Sequence, residues 1–214
     1  MKIRIILTTL LCAAVSAVSA QSATTPTMAE VLKQMPDSLL PYLTHNDKLD
    51  MIDYLDAKMK AEVTNKLGGK STLDSISTDY LHMTLNETVT IEMGIAATAQ
   101  MTADSCRHAV CVITTYGKPA MESTLKFYTT KWNEWQPAQP IVPDKILPPT
   151  CPDSYVTAKF GKNVEDIIFT LSKPAIGNEN IQKNGEKVEK IAKWGGITTC
   201  LLYTSPSPRD RTRS

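Results

Sequence analysis

An α+β fold is predicted, N-terminal helices followed by an antiparallel β-meander, on three observations. Apolar residues before position 60 recur at helical spacing, those after Asp79 alternate with polar ones, and turn residues punctuate that alternation at short intervals. Helices first and strands afterwards is the segregated order of an α+β domain rather than the alternation of a βαβ fold.

The chain opens with Lys2 and Arg4, an apolar stretch over 5–15, and Val18-Ser19-Ala20, which together read as a secretory signal (residues 1–20) cleaved before Gln21. That stretch is shorter than the roughly 20 residues a bilayer-spanning helix needs, so the mature chain is expected to be exported with no transmembrane segment. Leu11 before Cys12 is too bulky for a lipoprotein signal. At the other end, residues 201–214 (LLYTSPSPRDRTRS) resemble a translated sequencing adapter. They are polar, without an apolar period, and are expected to be a non-native tail.

Without the two ends, 23 basic and 22 acidic residues become 18 and 21, a net charge of about −3. No basic stripe argues for nucleic acid or for an anionic membrane surface. Residues 21–200 suit a single α+β domain, with halves at 28–135 and 153–200, and a chain of that size carries its fold without staples. Cys106, Cys111 and Cys151 are too few for a disulfide framework. Cys106 and Cys111 are roughly 17 Å apart on an extended segment, beyond bridging reach. Cys106 with Cys151 is the freer disulfide pairing, set against three free thiols.

Met28, Val31, Leu32 and Met35 mark one face of a first helix, stopped by Pro36. Thr44-x-x-Asp47 opens a second, with Leu49, Ile52, Leu55 and Met59 as its apolar side and Gly68-Gly69 ending it or a short successor. From Asp79 the period is two: Leu81, Met83 and Leu85, then, beyond Asn86-Glu87, Val89, Ile91, Met93 and Ile95 form a hairpin. A third strand covers 109–116. Turn chemistry at 117–120 leads to a fourth over 124–132, with Leu125 and Phe127 inward.

Residues 136–152 hold six of the 13 prolines and read as a semi-rigid surface connection. Beyond it Tyr155, Val156, Phe160 and Val164 repeat Tyr80, Leu81, Leu85 and Val89 after 75 residues, which predicts a duplicated strand unit. Residues 186–194 read as an amphipathic helix with Val188, Ile191 and Ala192 on one side.

The string Met35-Pro36-Asp37-Ser38-Leu39-Leu40-Pro41, the Asp-rich second helix, Asp79-Tyr80-Leu81, Cys111-Val112-Ile113-Thr114-Thr115 and Phe127-Tyr128 with Trp132 resemble a family of exported proteins of anaerobic Gram-negative gut bacteria, domain of unknown function 3256. The resemblance implies export to the periplasm or cell surface of a Gram-negative bacterium. It supplies no catalytic residue.

No catalytic residue, cofactor or metal is assigned from the residues themselves. Asp47, Asp50, Asp53 and Asp56 drift round a helix by about 60° per step and do not converge on one ion. His82 and His108 make a pair at most. No nucleophile elbow or phosphate-cradling loop is present in the sequence. Tyr128, Trp132 and Trp135 form an aromatic cluster in which 128 and 132 share one strand face, a stacking platform or the closed end of a core. The expectation is a non-catalytic binding or interaction protein of the bacterial envelope, with a protein or glycan of the envelope as partner. The alternative is a small secreted hydrolase acting on an envelope or dietary polymer.

Overall fold

Thr27 starts the first helix, α1 (Met28–Lys33), with a reciprocal capping box: its Oγ1 accepts the Glu30 N–H at 3.3 Å while Glu30 accepts the Thr27 N–H at 2.8 Å. The structure is a computed structural model and describes residues 25–98, 107–117, 121–137, 141, 155–172 and 189–195. Six residues are too few for a helix stable on its own. Burial of Met28, Val31 and Leu32 therefore holds α1 in place. The second helix, α2 (His45–Asp56), begins with the same device, Thr44 paired with Asp47 at 3.2 and 2.7 Å.

The inward side of α2 differs from the predicted one. Lys48, Met51 and Ile52 are buried, whereas Met59 lies beyond the helix and is 59% exposed. The cause is the C-terminal turn, where the N–H groups of Met59 and Lys58 donate to the carbonyls of Tyr54 and Leu55 and Lys58 takes a left-handed φ of 56°. The helix stops at Asp56, so its Met59 end never forms.

Lys48 is a buried cation inside this apolar row. Its Nζ donates to Asp37 Oδ1 at 2.8 Å and to the carbonyl of Met35, so the Met35-Pro36-Asp37 corner is the lysine's receptor. The Lys48 hydrogen bond holds the Asp37 carboxyl below the ordinary carboxylate range. A depressed carboxylate contributes stability above its unfolded pKa, lost as pH falls through the folded one. Asp37→Asn should therefore flatten stability on the acid side of pH 4. Lys48→Met, which fills the volume and leaves Asp37 facing water, should keep a higher urea midpoint than Asp37→Ala, which strands a buried ammonium. The reverse order of midpoints would mean that the pair does not hold the corner.

Two strands precede the predicted meander. The first, β1 (Glu62–Thr64), and β2 (Lys70–Ile76) form a hairpin, and Gly68-Gly69 sits in its turn rather than at a helix end. The alternation is masked because β1 has three residues and β2 carries a bulge between Leu73 and Ser75. Then follow β3 (Tyr80–Asn86), β4 (Val89–Ala97), β5 (His108–Tyr116) and β6 (Glu122–Thr129), completing a six-stranded antiparallel sheet in sequence order. The hairpin register pairs Leu81 with Met93 and Met83 with Ile91, as the period of two requires.

One face of this sheet packs on the helices: Leu81, Met83, Leu85, Ile91 and Met93 meet Met28, Leu32, Leu43 and Met51. The other face of β4–β6 packs on a second sheet, β7 (Tyr155–Phe160), β8 (Asp166–Ser172) and β9 (Glu189–Lys193). Helices, large sheet and small sheet make three layers, and β5 is apolar along most of its length because both its faces are covered. Gly94 permits a close approach: a Cβ there would stand 2.8 Å from the Phe160 ring.

Of the helix predicted over 186–194, residues 186–188 lie outside the described residues and the remainder is corrected to the strand β9, paired with β8 from Asp166↔Lys193 to Thr170↔Glu189. Ala192 and Trp194 are buried two residues apart, a period-two signal in a segment too short to separate from a helix, and the free edge of β8 decides it. The expected repeat does recover a hairpin, β7–β8, but its connection spans 161–165 where β3–β4 turns in two residues, and Val164 lies in that loop rather than in a strand.

Candidate functional site

The three expected aromatic residues do not share one surface. Strand β6 ends at Thr129, and a tight turn carries Trp132 at a left-handed φ of 65° into the helical core. Its ring centroid is 5.5 Å from that of Tyr128, and its Nε1 donates to the Val31 carbonyl of α1 at 2.9 Å. Tyr128 and Trp132 are 4% and 7% exposed. Trp135 lies on the opposite face of the sheet, half-buried and edge-on to Phe127 at 6.2 Å. Cys106 and Cys151 lie outside the described residues. Cys111 is buried between the sheets without a disulfide, and burial pushes its thiol pKa well up.

A cleft opens where the two sheets part. The β2–β3 turn contributes Ser77, Asp79 and Tyr80, and the β7–β8 loop contributes Lys162, Asn163, Val164 and Glu165, around a cavity of about 550 Å³. Sequence reasoning passed over both turns, since each is a short polar connection and only the approach of the two sheets brings them together. The floor is aromatic: Tyr80 and Phe160 meet edge to face at 5.9 Å. Beneath it the half-buried Glu92 accepts the Phe160 N–H at 3.0 Å and the Tyr80 hydroxyl, tying β4, β3 and β7 at one point. Oppositely charged groups line the rim, which fits a polar ligand carrying both donors and acceptors.

Burial, with the Glu92 carboxylate beside it, pushes the Tyr80 phenol up to about 12. A group whose pKa is raised on folding contributes stability below its unfolded pKa of about 10, lost as pH rises through the folded value. Stability should therefore fall between about pH 10 and 12. Tyr80→Phe should remove a late-ionising phase from the 295 nm absorbance titration. Burial raises the Tyr128 phenol as well, so it also ionises late and is retained in that variant. An unchanged titration in Tyr80→Phe would refute the assignment.

Along the same face from Tyr80, His82 stands opposite Glu92, and its Nδ1 lies 3.0 Å from Asp74 Oδ2, which also accepts the Thr84 hydroxyl at 2.8 Å. This is an oriented imidazole next to the cleft. His108 is not its neighbour: β4 runs between their strands, and His108 pairs with Ala97 while His82 pairs with Glu92. Among the described residues no three His, Cys, Asp or Glu side chains gather as a metal centre. On α2, Asp47 is spent on its cap and Asp50, Asp53 and Asp56 point to solvent. No described helix is long and apolar enough to cross a membrane.

A solved domain of an uncharacterized protein from Porphyromonas gingivalis W83 is similar to this chain, with a TM-score of 0.60 and 17% identity, over 83% of this chain and 98% of that one. At that identity the likeness is one of fold. A search of curated proteins finds no match. The model of a family described as protein of unknown function (DUF3256) matches residues 20–171, most of the layered core and both walls of the cleft, and the chain belongs to that family.

Proposed function

We propose that the protein is exported to the bacterial envelope and acts there by binding, with the cleft between the β2–β3 turn and the β7–β8 loop as the ligand site. The carrying observation is the cleft's make-up: Asp79, Lys162, Asn163 and Glu165 surround the Tyr80 and Phe160 rings in about 550 Å³, within the usual size range of a small-ligand pocket. Carboxylate and amide groups beside aromatic edges suit the hydroxyls and ring faces of a glycan end. A peptide end would use Lys162 and Glu165 instead.

Amide-resolved NMR with envelope glycan fragments and short peptides tests this. Shifts should concentrate at 77–80 and 160–165 and be lost in Asp79→Ala combined with Asn163→Ala. Shifts confined to the surroundings of Trp135 would move the site to the aromatic residue expected from sequence.

A hydrolase remains the second reading because Asp74 orients the His82 imidazole beside the cleft. Turnover of a polymer that disappears in His82→Gln, with ligand binding retained, would favour it over simple binding.

A further inference from the structure

We propose that the tip of the β1–β2 hairpin is a contact site for an anionic lipid surface, independent of the cleft. Four of the chain's 23 basic residues, Lys58, Lys60, Lys66 and Lys70, fall between Ala57 and Lys70, with Glu62 as the one acidic residue among the 22. The segment therefore carries +3, while the remainder of the chain carries −2, and the near-neutral total hides the asymmetry. Glu62 forms ion pairs with both Lys60 and Lys70, which gathers the two ammonium groups on one side of the hairpin while the side chains stay 72% and 74% exposed. Asp37 lies near Lys66 and offsets part of its charge.

Two apolar side chains accompany the lysines. Leu67 is 76% exposed and Met59 59%, the highest values among the described large hydrophobic residues. An isolated exposed leucine is ordinary, but this one is held outward by a built turn. Asn65, 5% exposed, accepts the N–H groups of Leu67 and Gly69 at 3.0 and 3.1 Å and donates to Ser71 Oγ and the Leu85 carbonyl at 3.0 and 3.2 Å. Gly68 completes the turn at a φ of 78°. The tip backbone is thus anchored in the core through Asn65, with the Leu67 side chain outside it.

An exposed apolar side chain in a turn flanked by Lys66 and Lys70, with Lys60 drawn to the same side of the hairpin through Glu62, matches the boundary between lipid headgroups and acyl chains. The leucine enters the apolar edge and the lysines meet lipid phosphates. A free anion or a nucleic acid would engage the lysines and leave Leu67 in water, so a lipid surface is the occupant that complements both features.

The test is amide NMR of the full chain with phosphatidylcholine vesicles, with and without phosphatidylglycerol, doped with a spin-labelled lipid. Local readout separates the hairpin from the apolar N-terminus. Broadening of amides 58–70 is expected with the anionic vesicles and not with phosphatidylcholine alone, and it should weaken at about 0.5 M salt. Lys60→Gln with Lys70→Gln should weaken the apparent affinity by roughly fivefold per charge removed. Leu67→Ser should abolish the broadening, with an unchanged urea midpoint showing that the fold is intact. Broadening that spares 58–70, indifference to Leu67→Ser, or the same shifts produced by inorganic phosphate without vesicles would overturn the proposal.

Discussion

Replacing Trp132 by Ala should destabilise the protein by about 3–5 kcal/mol, the range for truncating a buried tryptophan. The indole is 7% exposed, packs against the Tyr128 ring at a tilt of 54°, and donates to the Val31 carbonyl across 101 residues of chain. Truncation opens a cavity and also leaves a carbonyl in the last turns of α1 without that donor. Trp132→Phe separates the two losses, because it keeps most of the volume and should cost about 1–2 kcal/mol for the stranded carbonyl. The left-handed φ of 65° is shared by Ala and relieved in Gly, so Trp132→Gly should regain about 1 kcal/mol of the Ala loss through backbone strain. Urea unfolding of the three variants measures these differences. An Ala variant within 1 kcal/mol of the parent would show that the indole does not fasten α1 to the end of the meander.

That result bears on what the resemblance to the family means physically. The string from Met35 to Pro41 is its most specific part, and the structure gives it a structural employment. Met35 and Leu40 are buried, and the Met35 carbonyl and Asp37 carboxylate receive Lys48. Trp132 performs the matching task at the other end of the core. Met35 and Asp37 of that string therefore hold the helical corner through Lys48, whereas the cleft combines Asp79 and Tyr80, which also carry the resemblance, with a β7–β8 loop that lies outside it.

The same contrast explains what was legible. The apolar face of α1, the α2 cap, the β3–β4 hairpin and the strands β5 and β6 could be read because each is dictated by local spacing: helical recurrence, a Thr-x-x-acid box, or a strand pattern sustained over seven to nine residues. β1 and β9 were not, because three and five residues carry too little period, and β2 hides its period behind a bulge. The second sheet's position was also unreadable. It depends on Gly94 admitting Phe160 from a strand 66 residues later, a contact with no local signature. The cleft inherits that difficulty, since both its walls exist only once the sheets have met. The expected aromatic platform rested on continuing β6 through Trp132, and the turn after Thr129 instead sends Trp132 to one face and Trp135 to the other.

Ile91→Ala should cost about 2–5 kcal/mol, while Thr90→Ala, one residue away, should cost about 0.5–1 kcal/mol. Ile91 is 4% exposed and pairs with Met83 on the face that packs against the helices. Removing its side chain leaves a cavity that the core of two short helices and one sheet cannot close without shifting α1 or α2. Thr90 points to the other face, half-buried, with Thr84 and Thr115 as its cross-strand partners. There a methyl and a hydroxyl are lost beside polar neighbours, so the effect is chiefly one of strand propensity. A domain stabilised by about 5–15 kcal/mol makes the first change plain in a urea midpoint and the second close to silent. Because a shift of one residue exchanges the two faces of a strand, the pair of midpoints reads the register directly. Equal losses at both positions would place comparable packing on the two sides of β4 at this point, and a larger loss at Thr90 would reverse the hairpin.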